Sequence, residues 1–516
     1  MPSRFTRWIL ALATIASSLL LAACGGDDDD GGPSADSGPA TVVPADAVVY
    51  VDGVVRPEDE QRESVETALQ TVLGEDDPGG FLVGELEDEF SAGDVEVDYE
   101  EDIEPWLGER GAAFFLNFGE SSDGAFVVET TDEELARDSI QRLIEQEGGV
   151  RPATYEGVEY TRTSEDDAAG IVDGFAVLGS QAGFESVVDA AAAESLAESD
   201  AYTSAVDAVP DDRLATVYAE PRTVLDVVIG SGDLTEAQAD AIAEAVGPAV
   251  DAPVVLSLGA DDAGFFAELA TEGEAPIGGS SDLLEQLPDD AWAAFALSDA
   301  GSLAGPAILG SLGSNEVLGS VLRGLQDQIG IDLAEFGASV GDVAGWFGGA
   351  NVLGATGALI FEVTDEAAAE ELLDGLEQAF SADPRVRVAP GELEGEAFSV
   401  GPADVPIEFP FVLRDELLVT GLGEQSVEQA YAPETSLSDS DAYAAAEEAL
   451  GDEFEVSMLL DFQTLVGFFQ GLNTEDEPDL NEALPYTSRL DVFAAGVRAD
   501  EGSTTARFVL RPQEGE

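Results

Sequence analysis

Apolar residues along this chain come in two rhythms. Short runs such as "AVVYV" (47–51), "AAFFLNF" (112–118), "AFVVET" (125–130) and "GFAVLGS" (174–180) have strand length and lie near Gly, Ser and Asp. The middle two flank "GESSDG" (119–124), which predicts an antiparallel pair around a turn. Elsewhere the spacing becomes helical. Val65, Leu69 and Leu73 recur every four residues in 62–73, and Ala136, Ile140, Leu143 and Ile144 form one face of 130–149. Thr131 with Glu134 predicts a capping box, and Gly148 a helix end. Residues 184–209 read as two more helices, and 214–272 as strand, helix and hairpin. Adjacent hairpins without strict β-α-β alternation predict an α+β fold. The expected unit is a twisted, mainly antiparallel sheet with helices packed on one face.

The pattern then repeats. "PADAVVYVD" (44–52) returns as "PDDAWAAFALS" (288–298), and "GAFVVETTDEELARDSI" (124–140) as "GALIFEVTDEAAAEELL" (357–373). "LAESDAYTSAVDAV" (196–209) returns as "LSDSDAYAAAEEAL" (437–450), and "VVLSLGADDAGFFAELA" (254–270) as "FAAGVRADEGSTTARFVL" (493–510). Matches in one order predict two tandem copies, residues 43–286 and 287–512, each of ordinary domain length. The second copy keeps Thr364 and Asp365 at the helix start, but Ala367 stands where the box glutamate was.

The first residues follow neither rhythm. Arg4 and Arg7 precede the apolar stretch 8–23, which has signal-peptide length. It ends in "LAAC", residues 21–24, and Cys24 is the sole cysteine of 516 residues. This resembles the lipobox of bacterial lipoproteins. The resemblance implies cleavage before Cys24 and a diacylglyceryl thioether on its sulfur. Two acyl chains anchor a protein stably where one does not. The expectation is therefore a signal peptide over 1–23 and a body attached through Cys24 to the outer face of the cytoplasmic membrane. A secretory signal with a chance cysteine, or a short membrane anchor, is the plainer alternative. Residues 24–42, rich in Gly, Ser, Asp and Pro, read as an acidic tether. Asp27 to Asp30 are adjacent, and adjacent aspartates do not supply the spaced ligands of a calcium loop.

Charge narrows the picture further. The formal net charge is −89, from 108 acidic and 19 basic residues, and every basic residue is arginine. Such a surface repels nucleic acid and anionic headgroups. A GC-rich genome and adaptation to high salt both account for the acidity, so bulk charge argues for no metal site. With 45% hydrophobic residues the chain can still bury real cores. Histidine and lysine are absent, which removes the Ser-His-Asp triad, imidazole metal ligands, Schiff bases and the Walker lysine. No cofactor is expected.

"VPADAVVYVD" after the tether, "DIEPWLGERGAAFFL" (102–116) and the "DEELARDSIQRLI" helix together resemble the bacterial family catalogued as domain of unknown function 3352. Its most specific element here is "PWLG", Pro105 to Gly108; the second copy has "SVGD" (339–342) instead. The family implies export and architecture, with no assigned activity.

Several constellations remain. Asp94, Glu96 and Asp98 would share one side of an extended segment, as a calcium or acid/base site or simply as the charged face of an edge. Glu129 and Glu362 correspond in the two copies, and either form a paired site or place charge near a helix N-terminus. Tyr202 and Tyr443 also correspond and read as packed aromatics. Glycine-rich 301–319 could line an apolar groove or join two helices, and 468–486 reads as a long loop. These residues favour a non-enzymatic binding or scaffolding lipoprotein, its partner an envelope protein. A carrier of lipid or another apolar ligand is the alternative, and a carboxylate-based hydrolase comes last.

Overall fold

The computed structural model describes residues 38–513 except 58, 75–76, 82, 85–98, 119–121, 148–149, 164–166, 212, 232–234, 236–238, 240–242, 244–246, 262, 273–278, 301–338, 352–353, 406, 471–485 and 501. The chain forms two compact units: Met1–Asp240 with Pro248–Gly273, and Ala241–Gly247 with Glu274–Glu516.

In the first unit the strands are β1 (Val49–Val54), β2 (Leu107–Phe115), β3 (Gly124–Thr130), β4 (Arg151–Tyr155), β5 (Val158–Arg162), β6 (Asp167–Val172), β7 (Phe175–Ser180), β8 (Ala215–Ala219), β9 (Val254–Asp261) and β10 (Gly264–Glu272). They pair antiparallel throughout, in the spatial order β10-β9-β8-β1-β2-β3-β7-β6-β5-β4. The helices are α1 (Asp59–Leu73), α2 (Glu133–Glu147), α3 (Gln181–Ala192), α4 (Asp200–Val206) and α5 (Pro221–Ser231).

Helices cover both faces of this sheet, not one. In β7, Phe175 and Val177 join a core with Phe184 and Val187 of α3, while the alternate residue Ala176 lies under Ala136, Ile140 and Ile144 of α2. Two-sided burial is why "FAVL" is apolar in both phases of its alternation. Val65 and Leu69 of α1 pack on Ala260 and Phe265 farther along the sheet. α3 approaches closely because Gly183 lies over Gly124; a Cβ on Gly183 would overlap the Gly124 carbonyl oxygen.

Helix α2 starts one residue later than the capping-box reading requires. Asp132 Oδ1 accepts from the N–H of Glu134 and Leu135 at 3.0 and 3.1 Å. The Thr131 N–H is taken by the Trp106 carbonyl, so Thr131 still belongs to the strand side. Ala40 and Val42, which composition places in a tether, are buried in the core together with Val43.

The second unit holds β11 (Ala291–Leu297), β12 (Val340–Gly348), β13 (Thr356–Val363), β14 (Val386–Pro390), β15 (Glu396–Pro402), β16 (Phe409–Arg414), β17 (Leu417–Gly421), β18 (Glu455–Asp461), β19 (Leu490–Asp500) and β20 (Ser503–Pro512). Its helices are α6 (Glu366–Ala382), α7 (Gly423–Tyr431), α8 (Asp441–Leu450) and α9 (Phe462–Gln470). The antiparallel order is β20-β19-β18-β11-β12-β13-β17-β16-β15-β14. α6 is capped by Asp365, which accepts from the N–H of Ala367 and Ala368. Residues 281–287 belong with this unit: Ser281 Oγ donates to Asp342 at 2.6 Å, and the Leu437 N–H bonds the Leu287 carbonyl.

Candidate functional site

An apolar trough lies on one face of the second unit, and cross-strand register builds it. One row runs Thr420, Leu359, Gly345, Phe295, Met458, Ala495 and Phe508 across β17, β13, β12, β11, β18, β19 and β20. The next row toward the strand ends runs Gly357, Phe347, Ala293, Leu460 and Phe493. The alternate residues Ala294, Trp346, Ala358, Leu459 and Ala494 are buried on the opposite face, where α7 and α8 pack. The trough face is far more open. Phe347 is 55% exposed, and Leu359, Met458 and Phe508 are also exposed.

The space enclosed is about 530 Å³, lined chiefly by Phe295, Phe347, Leu359, Met458, Leu460 and Phe493, with Phe409, Thr420 and Leu422 at one side. A volume of this size is that of a small-molecule pocket. Gly345 lies beneath this lining and lets two of its side chains lie flat: a Cβ there would stand 2.7 Å from Leu359 Cδ2 and 2.8 Å from Phe295 Cε1. Trp292 stacks on Phe347 with ring centroids 6.1 Å apart, and Phe468 of α9 meets Trp292 at 5.4 Å. This aromatic series holds Phe347 in place from one side.

The first unit carries a different feature, a polar row beneath its helices. Asp52, Thr216, Ser257 and Glu268 face one another across β1, β8, β9 and β10, and all four are buried. Arg110 forms an ion pair with Asp52, and both side chains are nearly inaccessible. Burial opposes the Arg110 charge, but Asp52 outweighs it and holds the guanidinium pKa up. Arg213 donates from Nε to Thr216 Oγ1 at 2.9 Å and from Nη1 to the Pro210 carbonyl at 2.7 Å. Asp52 Oδ1, Arg110 Nη1 and Ser257 Oγ are buried without a hydrogen-bond partner. Asp52 and Glu268 stand three inter-strand steps apart, roughly 14 Å by strand spacing, which is wider than the carboxylate pairs of glycoside hydrolysis. That pair therefore lends the hydrolase reading no support.

Tyr50 and Tyr218 pack edge-on against Tyr202 beside this row, at 5.7 and 5.2 Å. Burial is the main cause that raises all three phenol pKa values. Burial likewise pushes Tyr431 and Tyr443 of the second unit up to about 12. In an unfolded chain a phenol ionises near pH 10. The stabilising contribution of the neutral phenols is thus complete below about pH 10 and is lost as pH rises from there toward the folded-state values. Alkaline titration should leave the fold intact to about pH 10, after which tyrosinate absorbance and loss of helical circular dichroism rise together. Tyrosinate absorbance complete before any structural change would contradict the burial of these rings.

The sequence candidates within the described residues make structural contacts. Glu129 and Glu362 play the same part in the two units. Each Oε2 accepts at 3.3 Å from the backbone N–H of a neighbouring-strand residue, Glu109 and Asp342, beside a β-bulge. Tyr202 and Tyr443 are buried at helix starts capped by Ser199 and Ser440. Trp106 of "PWLG" is buried under α2 and donates Nε1 to the Asp102 carbonyl at 2.7 Å. Cys24 with the expected signal peptide and most of the expected tether, Asp94, Glu96, Asp98, residues 301–319, Gly148 and 471–485 lie outside the described residues. Among the described residues no three His, Cys, Asp or Glu side chains gather as a metal site, and no helix is long and apolar enough to cross a membrane.

Residues 8–508 match the family described as "Protein of unknown function (DUF3352)". The chain belongs to that family. No curated protein matches this DUF3352 member. Among solved structures it is similar to "Structure of crystal form I of TP0453", at 12% identity and a TM-score of 0.24, over 47% of this chain and 81% of that one. It is also similar to "Structure of crystal form IV of TP0453", at 10% identity and a TM-score of 0.22, over 45% and 80%.

Proposed function

We propose that this DUF3352 protein is an exported lipoprotein, held at the outer face of the cytoplasmic membrane through Cys24, whose second unit binds an aliphatic ligand. The observation that carries the reading is the 530 Å³ trough lined almost entirely by carbon. Roughly ten buried methylenes at about 0.8 kcal/mol each supply ~8 kcal/mol, the scale of micromolar affinity before ordering costs. The acidic surface complements this arrangement: charge of −89 keeps a body with an open apolar face from associating with its own copies. We further take the two units as copies of one ancestral unit, because their strands follow the same spatial order. Pro44 bridges Ser195 in one, as Pro288 bridges Ser436 in the other.

A scaffolding role keeps one observation in its favour, the exposure of Phe347, Leu359, Met458 and Phe508 on a single face. Purification from membranes separates the two readings. Extractable lipid supports the carrier, and a stoichiometric protein partner supports the scaffold.

The anchor has its own test. Cys24→Ala should leave the signal peptide uncleaved by the lipoprotein route and abolish labelling by radioactive palmitate. A variant still processed at residue 24 and still acylated would rule out attachment through this thiol.

A further inference from the structure

Resting on the ligand-binding reading above, we infer that the trough selects uncharged aliphatic ligands, such as long-chain alcohols or acylglycerols, over fatty acids and other anionic lipids. Three observations converge on this. Of the lining residues only Thr420 and Trp346 carry a side-chain nitrogen or oxygen, and Trp346 is buried with the residues of the helix-covered face. Among the described residues Thr420 is thus the lining side chain on the open face that can meet a ligand polar group, and a hydroxyl suits one alcohol or ester oxygen, not a charge.

The second observation concerns cations. A carboxylate taken into such a site needs a paired counter-charge, because burying an unpaired ion is far costlier than burying a neutral hydroxyl. Among the described residues, no arginine lines the trough, and several of this unit are engaged elsewhere. Arg387 pairs with Glu408, Arg498 with Glu453 and Arg511 with Glu448. Arg414 lies 3.8 Å over the Tyr431 ring, and Arg507 lies over Phe454 at 5.7 Å. The third is the field of the whole molecule: at −89 an anionic headgroup left at the mouth is repelled. Salt screens this last contribution and leaves the first two in place.

Competition between cetyl alcohol and palmitate for the full-length protein tests the inference, read by displacement of a fluorescent aliphatic probe at neutral pH. The alcohol should bind at least about tenfold more tightly than the acid, and a preference should persist in high salt. Palmitate binding equally or better would overturn the selectivity and leave ligand binding standing. Failure of both to bind would overturn the underlying reading too. Gly345→Leu, which drives Phe295 and Leu359 into the trough, should lose both ligands. Phe347→Asp is a second variant that removes no buried side chain, since Phe347 is 55% exposed. It should weaken the alcohol while the fold, read by circular dichroism, is unchanged. Undiminished alcohol binding in both folded variants would place the ligand elsewhere and end the proposal.

Discussion

Replacing Asp52 with Ala should remove about 3–5 kcal/mol of stability from the first unit, because it strands the buried charge of Arg110. Asp52 is on the inward phase of β1, buried, with its carboxylate against the guanidinium. Removing one partner forfeits the Coulombic attraction and keeps the desolvation cost of the other. Removing both does not, so Asp52→Leu with Arg110→Met should recover most of the loss. The second unit has Ala296 at the register position of Asp52, paired with Ala344 as Asp52 pairs with Ala112. An apolar residue at the position of Asp52 is therefore compatible with the same sheet. Urea unfolding, with hydrogen exchange read on first-unit peptides, measures the effect. An Asp52→Ala protein as stable as the wild type would mean that the pair is solvated and the row not closed.

The second large effect belongs to Gly345→Leu. A leucine side chain here would push Phe295 and Leu359, both lining residues, into the space of about four ligand carbons, at ~0.8 kcal/mol per methylene. The loss is ~3 kcal/mol, or about a hundredfold in affinity. Overpacking against Phe295 should cost about 1–3 kcal/mol of stability as well, which thermal unfolding would register independently. Titration with a fluorescent fatty alcohol separates the two quantities. Retained affinity in a folded Gly345→Leu protein would show that the trough is not where the ligand sits.

Local features of this fold are legible in the sequence where neighbours along the chain decide them. The buried face of α2, Ala136, Ile140 and Ile144, follows from helical spacing alone, and the two "SDAY" stretches mark two capped helix starts with buried tyrosines. The cap of α2 is not decided locally, because Thr131 and Asp132 can both cap. Only the long-range hydrogen bond from Thr131 to Trp106 chooses between them. Helices on both faces are signalled by runs apolar in both phases, such as "FAVL", which a one-faced sheet does not need.

The candidate site is far less legible. Its rows join Phe295, Leu359, Met458 and Phe508, residues from four separate stretches, and register brings them together. One local hint exists: "AGWFGG" (344–349) combines small and large residues where a strand must leave room on one face. Asp52 carries a clearer signal, an acid in phase with Tyr50 and Val54 inside an apolar run. Its partner Arg110 lies 58 residues away, beyond the reach of periodicity.

An uncharged aliphatic molecule held in the trough of the second unit should survive gentle isolation. Native purification of the wild type and Gly345→Leu proteins from membranes, followed by mass spectrometry of extracted lipids, would find it. About one neutral aliphatic lipid is expected per wild-type molecule, and almost none on the folded variant. A wild-type protein that carries no lipid, or equal lipid on both proteins, would refute ligand binding in the trough.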